Sequence, residues 1–420
     1  MQQEAPIIDP FFSDEMRLDQ PGVVARMRRT DPVHYIEALD SWMVTRYDLI
    51  HRLFTDENVT NDPGAYQHAR QPPPGSIAER TQGLSLFSAP PDQHARMRHL
   101  VSRALTPRAV ARMESQVVDV IEQYAAPLRG RDGIVDVYHD FFEPIPNTVV
   151  SRITGVPAKG DDERRFRELG RSTLALINPF LSDEELATSY AALDELREWV
   201  REMAIERRAS PREDLISDLA QAHDLDDQLA VDEIVSVVTA LISAGTDTTV
   251  QGGVYSLRTL LRNPDVLEEL RADRELLPNA VLELLRYDFG PTDWLPRFAV
   301  RDFELEGRRI RKGQLLMLSF MGADRDPAVF PDPDRIDVRR DNSRIAIFGH
   351  GPHYCLGQNL ARQELRCMLD AALDFMPPGS RLLEDRIEWT ETFGPLFRSI
   401  ATFPVEFGDR SQAGRAAQPR

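Results

Sequence analysis

Residues Phe348 to Arg362, FGHGPHYCLGQNLAR, place one cysteine between a glycine-rich loop and the start of an apolar-periodic helix. The loop glycines allow tight backbone turns over a flat ligand, and Gly357 allows close approach just beyond the sulfur. The helix, expected to begin near Leu356, would direct its unpaired N–H groups and positive dipole end at Cys355. The pattern therefore predicts that Cys355 is a thiolate ligand with a depressed pKa.

The alternative for any lone cysteine is a small buried apolar residue. Here the spacing resembles the haem-thiolate signature of the cytochromes P-450, Phe-Gly-x-Gly-x-His-x-Cys-x-Gly-x-x-Leu-Ala-Arg, and the stretch matches every fixed position. The resemblance implies that Cys355 ligates the iron of haem b, iron protoporphyrin IX, with Phe348 and Gly357 beside the cofactor. It also implies a mainly α (α+β) P-450 fold with a long central helix and small peripheral β-sheets, and a monomer.

The second cysteine helps to exclude other metal sites. Cys367 lies twelve positions after Cys355, on the helical run Leu360 to Leu373. It therefore neither completes a Cys-x-x-Cys pair nor supplies a four-ligand zinc site. A disulfide between two cysteines on one helix is disfavoured, so we expect a cytoplasmic protein in which Cys367 is a core residue.

Length and charge set the broad class. The 420 residues contain no Ser/Gly-rich linker, charge block or internal repeat, so we expect one domain over residues 1–408 and a disordered tail over 409–420. No segment approaches the roughly 18 consecutive apolar residues of a membrane span. A net charge of −18 argues against binding to nucleic acid or to an anionic membrane.

Periodicity predicts where helices and strands lie. The longest run, Asp232 to Leu261, is apolar on most sides and predicts one helix of about 45 Å through the interior. The segment Asn61 to Phe87 is rich in Pro and Gly with little periodicity, which is typical of a functional or disordered loop. Strands are predicted around His34 to Ile36, Trp42 to Val44, Phe298 to Leu305, Leu315 to Leu318 and Ser399 to Phe407. Helices are predicted around Asp92 to Arg103, Pro107 to Leu128, Phe166 to Ile177 and Glu184 to Arg208.

The long run contains Ala244-Gly245-Thr246-Asp247-Thr248-Thr249. Glycine and β-branched residues weaken a helix, and threonine hydroxyls can bond back to earlier carbonyls and bend it. One interpretation is a locally weak helix with an incidental acid. The family resemblance implies instead that Asp247 and Thr248 are the acid-alcohol pair that delivers protons to bound dioxygen, while the thiolate supplies electron density from the other side.

A second charged motif is interpreted as structural. Glu283-Leu284-Leu285-Arg286 places a carboxylate and a guanidinium on one helix face, and an exposed pair of this kind contributes only tenths of a kcal/mol. The motif also matches the family's Glu-x-x-Arg. The resemblance implies that Arg335, in Pro333-Asp334-Arg335-Ile336, is the third partner of Glu283 and Arg286.

The carboxylates of haem need cationic or hydrogen-bonding partners. The resemblance implies four such side chains, namely His94, Arg98, Arg297 and His353. Each of them, taken alone, is more often a surface group, but all four lie at the positions that the resemblance implies.

The resemblance also implies which segments line a substrate pocket. They are the loop Asn61 to Phe87, the helix Phe166 to Ile177, the long helix and two C-terminal segments. The residues that we expect to line the pocket are Ala240, Ser243, Ala244, Asp293, Leu295 and Phe397, with Ala244 also against the cofactor. For Asp293 the alternative is that it faces solvent or a nearby arginine.

Together these motifs resemble a soluble bacterial P-450 from about Asp31 to Phe407. The resemblance implies insertion of one oxygen atom from O2 into a C–H or C=C bond of a hydrophobic small molecule, with electrons from NAD(P)H through ferredoxin reductase and ferredoxin. Mobile lids suggest a bulky substrate such as a polyketide, macrolide or terpenoid, with a steroid or fatty acid as the alternative. Two rival functions are a haem-thiolate gas sensor without turnover and a helical binding protein without a cofactor.

Electron delivery raises a charge problem, because an acidic chain must receive an acidic ferredoxin. The hypothesis is a local basic patch formed by Arg96, Arg103, Arg362 and Arg366, which flank the haem-binding segments. The alternative is that these arginines are simply solvated.

Overall fold

Helices make up most of the fold. The computed structural model describes residues 9–81, 83–156, 161–221, 223–224, 227–290, 294–391 and 398–408. The expected tail 409–420 and two expected pocket residues, Asp293 and Phe397, lie outside these ranges. The α-helices are α1 Asp14–Leu18, α2 Gln20–Thr30, α3 Tyr47–Leu53, α4 Ile77–Arg80, α5 Pro91–Ser102, α6 Pro107–Ala125, α7 Pro144–Thr154, α8 Asp161–Leu174, α9 Asp183–Ala209, α10 Leu215–Gln221, α11 Val231–Gly245, α12 Asp247–Arg262, α13 Pro264–Ala272, α14 Leu277–Tyr287, α15 Phe320–Asp324 and α16 Gln358–Phe375.

The strands form small separate sheets around this body. The largest has five strands in the order β1-β2-β10-β7-β3, and its central strand β10 is buried on both faces, which explains its apolar sequence LLMLS. The strands are β1 Val33–Ile36, β2 Ser41–Val44, β3 Val59–Thr60, β4 Gly133–Asp136, β5 His223–Asp224, β6 Asp227–Gln228, β7 Trp294–Ala299, β8 Phe303–Leu305, β9 Arg308–Ile310, β10 Leu315–Ser319, β11 Arg381–Leu382, β12 Trp389–Glu391, β13 Arg398–Ile400 and β14 Pro404–Phe407. The expected mainly α architecture is confirmed.

Two helices, α16 and α9, each pack against several others in the helical core. Helix α16 packs against α6, α12 and α14, and α9 packs against α8 and α11. Cys367 lies on α16, is buried as expected, and has a pKa raised to about 11 by desolvation. Within the described ranges no helix is both long enough and apolar enough to cross a bilayer.

The expected single long helix is interrupted. Helix α11 ends at Gly245 and α12 begins at Asp247, with Thr246 between them at φ −88° and ψ −75°. The Oγ1 of Thr246 donates to the carbonyl of Ile242 at 3.1 Å, and that of Thr248 donates to the carbonyl of Ala244 at 2.6 Å. Hydroxyls that bond back along a helix bend it, so the prediction of one continuous helix is wrong at the residues that carry the acid-alcohol pair.

The predicted ion pair between Glu283 and Arg286 is present, but the arginine that joins it is not Arg335. Arg286 donates from Nε and Nη2 to both carboxylate oxygens of Glu283 at 2.8 and 2.9 Å, and both side chains are fully buried. Arg335 instead pairs with Asp337 at 3.0 Å, on the exposed side of the loop. Arg340 contacts Glu283, so the expectation for Arg335 is wrong.

Candidate active site

Cys355 is held by the loop that precedes α16. Its backbone N–H donates to the carbonyl of Phe348 at 2.8 Å, and α16 begins at Gln358, two residues after the expected start. Gly351 has φ +72°, and a Cβ there would lie 2.5 Å from the Thr55 side chain. The loop can therefore form this turn only with glycine at that position.

The pKa of the thiol differs from the sequence expectation. Backbone N–H groups of Gly357 and Gln358 and the charge of Arg98 lower the pKa of Cys355, but desolvation is larger and raises it. The prediction of a depressed pKa is therefore wrong for the polypeptide. Coordination to a metal ion deprotonates a thiol outright, so the sulfur can still be a thiolate ligand.

A buried arginine without a carboxylate partner lies in the same region. Arg297 is 5% exposed, donates to the carbonyl of Pro296 at 2.9 Å and lies over the ring of Phe54 at 5.3 Å. No ion pair links Arg297 to a carboxylate of the described residues, and desolvation lowers its pKa to about 10. A buried guanidinium in this state is suited to an anionic ligand.

Two histidine rings, tilted by 39° to each other, adjoin this arginine. The rings of His94 and His353 are 4.1 Å apart, and Nε2 of His94 is buried with no partner among the described residues. Desolvation, with the nearby charges of His94, Arg297 and Arg98, lowers the pKa of His353 to about 4. Arg98 donates to the carbonyl of Tyr354 and is close enough to act on Cys355.

These groups fit haem. A sulfur at the start of a helix lies near an unpaired buried guanidinium and an unpaired buried imidazole nitrogen, which is a suitable donor set for a cofactor with an iron and carboxylates. The structure thus brings together the four side chains expected to bind the carboxylates. Phe348 and Gly357 lie in the same loop.

Asp247 is buried beside a charged network. Desolvation raises the pKa of Asp247, the neighbouring Arg171 opposes the rise, and Glu143 adds to it. Arg171 donates from Nη2 to Oε1 of Glu143 at 3.1 Å and to the hydroxyl of Tyr138 at 3.3 Å. Tyr138 lies in a single π-helical turn that precedes α7, a feature that is frequent at functional sites.

The described pocket residues lie on α11 and β7. Ser243 is buried, and its hydroxyl has no partner among the described residues. Ala240, Ala244 and Leu295 are partly buried. The hydroxyl of Ser243, which has no partner among the described residues, can accept or donate one hydrogen bond to a ligand.

The residues that hold the pocket loop against α9 were not predicted from the sequence. The carboxylate of Asp194 accepts from the backbone N–H groups of Ile77 and Ala78 at 3.2 and 2.8 Å. One turn further along α9, Arg197 donates to the hydroxyl of Thr81. Both ends of α4 are thereby fixed to α9, and we call Asp194 and Arg197 the α9 clasp. In the sequence these residues resemble an ordinary surface pair spaced i, i+3.

The proposed basic patch is smaller than expected. Arg96 pairs with the buried Glu233, and Arg366 pairs with Glu114 at 2.6 Å. Arg103 is exposed, and Arg362 is partly buried with Gln358 at 3.5 Å. Two of the four arginines are therefore neutralised by acids.

A family model of cytochrome P-450 matches residues 34–374. The chain belongs to the cytochrome P-450 family. The epothilone C/D epoxidase of Sorangium cellulosum is 33% identical over 390 residues, which cover 91% of each chain. The 6-deoxyerythronolide B hydroxylase of Saccharopolyspora erythraea is 31% identical over 405 residues, covering 94% of this chain and 97% of that enzyme. A solved epothilone D-bound cytochrome P-450 has a TM-score of 0.85 at 30% identity, over 96% of this chain and 100% of the other.

Membership of this family establishes the class of reaction that the protein catalyses. The relatives are named as an epoxidase and a hydroxylase, and this P-450 is accordingly a monooxygenase, as expected. Members of the family carry a haem-thiolate, which matches the donor set around Cys355. The hypothesis of a helical binding protein without a cofactor is therefore wrong, and the enzyme relatives favour turnover over gas sensing.

Proposed function

We propose that this P-450 inserts one oxygen atom from O2 into a C–H or C=C bond of a bulky hydrophobic secondary metabolite. A polyketide or macrolide is the preferred substrate class, with a terpenoid also included, because the epoxidase and the hydroxylase relatives are named for epothilone and erythronolide substrates. The overall balance takes in dioxygen, two electrons and two protons and gives the oxidised substrate and water. We place the enzyme in the cytoplasm as a monomer.

The observation that carries this proposal is Cys355 just before α16, near Arg98 and Arg297, neither of which has a carboxylate partner among the described residues. Cys355 would hold the iron of haem b, and Arg98, Arg297, His94 and His353 would bind its carboxylates. When bound, haem supplies the redox chemistry that reduces dioxygen and transfers oxygen to the substrate.

Proton delivery is assigned to Asp247 and Thr248. The hydroxyl proton of Thr248 is donated to the carbonyl of Ala244, so its oxygen can accept a hydrogen bond from a water molecule. The raised pKa of Asp247 allows this carboxyl to hold a proton closer to neutral pH than an exposed aspartate can. Arg171 stays charged and holds the partly exposed carboxylate of Glu143 at 3.1 Å beside the buried acid, so Glu143 is the group that would exchange that proton with solvent.

Electrons are proposed to come from NAD(P)H through a ferredoxin reductase and a ferredoxin. Arg103 is exposed and has no carboxylate partner among the described residues, which makes it the member of the basic patch best suited to contact an acidic ferredoxin. Arg362 is the next most suitable member of the patch, because its side chain contacts the amide of Gln358 rather than a carboxylate. Reversing both charges should slow reduction at low ionic strength and weaken the dependence of its rate on salt.

A binding screen tests the substrate class. Macrolides, linear polyketides and terpenoids are titrated against the ferric enzyme, with steroids and fatty acids as comparison sets, and the low-spin to high-spin shift is recorded. Turnover with NAD(P)H, ferredoxin and reductase follows for each compound that shifts the spectrum. The proposal fails if only steroids or fatty acids shift the spectrum and are oxidised. The sensor alternative gains support if ligands bind but none is oxidised.

A further inference from the structure

Gln251 connects α12 to β13 through both polar atoms of its side-chain amide. Its Nε2 donates to the carbonyl of Ile400 at 3.1 Å, and its Oε1 accepts from the backbone N–H of the same residue at 3.2 Å. A backbone N–H only donates and a carbonyl only accepts, so the two bonds also fix the orientation of the amide. Both residues are buried, and Ile400 is completely so.

The two backbone groups of Ile400 lie on the free edge of β13. This strand pairs with β12 in a two-stranded antiparallel sheet. In such a pair, successive residues direct their N–H and C=O groups alternately toward the partner strand and away from it. Ala401 donates to the carbonyl of Glu388, directly before β12, at 2.9 Å, so the groups of Ile400 point the other way. Gln251 therefore supplies the partners that a third strand would supply, and buried backbone groups without partners are costly.

The same glutamine lies one turn after the acid of the proposed proton-delivery pair. Asp247 and Gln251 are spaced i, i+4 and share one face of α12. The helix begins at Asp247, and the residue before it, Thr246, makes no side-chain cap bond to the first turn. Because helix ends fray, the turn that carries Asp247 and Thr248 depends on contacts made further along α12.

The opposite face of α12 is held by close packing. Gly253 lies about 200° around the helix from Gln251. A Cβ at Gly253 would lie 2.6 Å from the ring of Phe142, so the helix contacts that ring without any spacing side chain. The start of α12 is thus held between the Phe142 ring on one side and the edge of β13 on the other.

We propose that Gln251 is a positioning residue for proton delivery, which holds α12 against β13 and thereby keeps Asp247 and Thr248 in the orientation in which they move protons. Both polar atoms of its amide are occupied by Ile400, so Gln251 acts through these two residues rather than on the substrate. The role in proton delivery rests on the proposed function, whereas the link between α12 and β13 does not.

The first test is Gln251→Leu, which keeps the size of the side chain and removes both hydrogen bonds. Product formed per NAD(P)H consumed should fall about tenfold, because small displacements of reacting groups cost up to about a hundredfold. Substrate affinity, measured by the spin shift, should change little. Gln314→Leu is the matched control, because Gln314 is also a buried glutamine but accepts from Nε1 of Trp42 and the backbone N–H of Arg311. Equal coupling in the two variants would overturn the proposal.

A second variant, Gln251→Glu, tests the hydrogen bonds themselves. A protonated carboxyl donates and accepts as the amide does, whereas a carboxylate only accepts and leaves the carbonyl of Ile400 unpaired. Coupling in Gln251→Glu, divided by that of the wild type at the same pH, should therefore be highest at the acidic end of the working range and fall as the pH rises. A value at the acidic end no higher than that of Gln251→Leu would contradict the role of the two bonds.

Hydrogen exchange measures the link without turnover. In Gln251→Leu, the backbone amides of Ile400 and of residues 248–251 should exchange about fivefold faster than in the wild type, because the bonds that hold the two elements together are lost. In Gln314→Leu these amides should keep the wild-type rate. Unchanged exchange at residues 248–251 in Gln251→Leu would overturn the positioning role.

The outcomes separate this proposal from the proposed function. If the wild type oxidised none of the screened compounds while exchange changed as expected, the link would stand and the proposed function alone would fail. If the wild type oxidised a substrate with tight coupling and Gln251→Leu were coupled equally well, the positioning role alone would fail.

Discussion

Arg340 is the residue that completes the buried ion pair, with its Nε 3.2 Å from Oε1 of Glu283. Its side chain is 10% exposed, whereas that of Arg335 is 71% exposed. The same carboxylate oxygen also accepts from the backbone N–H of Asp337 at 2.8 Å. Glu283 thus fixes the segment after α15 to α14 through a cation that the sequence motif does not identify.

Arg340→Met should therefore destabilise the protein, whereas Arg335→Met should not. Loss of a hydrogen bond to a buried charge is expected to lower the free energy of unfolding by about 1.5–3 kcal/mol. An exposed arginine changes it by about 0.5 kcal/mol or less. Urea denaturation of the two holoenzymes, compared at their midpoints, measures the difference. Equal midpoints would contradict the assignment of Arg340 as the third partner.

Cys355→Ser should abolish the red-shifted Soret band of the reduced, carbon-monoxide-bound protein, together with turnover, because that band requires the thiolate. Cys367→Ser is the control, since Cys367 is buried on α16 and the charged groups that act on it, which are Arg366, Glu114, Asp370 and Glu364, are not proposed to bind the cofactor. The control should keep the band and lose only some stability. Retention of the band in Cys355→Ser would rule out Cys355 as the ligand.

Thr248→Ala should uncouple NAD(P)H consumption from oxidation of the substrate. Without the hydroxyl, a water molecule loses the acceptor that orients it, so reduced oxygen leaves as peroxide while electron transfer continues. The measurement is product and peroxide formed per NAD(P)H consumed. Thr246→Ala is the comparison, because its hydroxyl also bonds back to a carbonyl but precedes the acid. Unchanged coupling in Thr248→Ala would exclude the proposed role.

Asp247→Asn should make the fold more stable at neutral pH. Burial raises the pKa of Asp247 above the ordinary value of 3.8, so the charged form is penalised in the folded state. Below pH 3.8 the group is protonated in both states and the variant has no advantage. The advantage should grow as pH rises from 3.8 to the folded-state pKa and then stay constant. Melting temperatures across this range measure it, and a gap independent of pH would count against a buried, destabilised acid.

Local pattern was sufficient for much of the fold. The apolar pattern at Val33–Ile36 and Ser41–Val44 and the helical periodicity of α6, α9 and α16 identified these elements. The side chains proposed to bind haem were identified through the resemblance, and the structure brings them together. A bend near Thr246 was predicted from its threonine hydroxyls, but not that one helix would end there and another begin, since helix periodicity continues through it.

The sequence did not predict which residues contact each other when they are distant along the chain. Arg335 and Arg340 are equivalent cations in the sequence, and only the path of the loop decides which one reaches Glu283. The pKa of Cys355 was predicted from helix N–H groups alone, while desolvation depends on neighbours that are distant in sequence. The α9 clasp carries no local signal, because its partners are more than 110 residues away along the chain.

The α9 clasp should control how fast ligands reach the pocket. Asp194 accepts two backbone hydrogen bonds from the start of α4, and Arg197, whose pKa is lowered to about 10 by desolvation, donates to Thr81 at its end. Asp194→Ala removes both bonds to a charged group, each of which contributes about 1.5–3 kcal/mol to holding the segment in place. Opening of α4 then becomes more frequent, so imidazole should bind the ferric enzyme faster in stopped-flow experiments, and residues 77–81 should exchange backbone hydrogen faster.

Asp183→Ala is the matched control, because Asp183 also lies on α9 and pairs with Arg70 of the pocket loop, but is 98% exposed and should contribute little. If Asp194→Ala binds imidazole at the same rate as Asp183→Ala and the wild type, opening of α4 does not limit access of ligands to the pocket, even if its backbone hydrogens exchange faster.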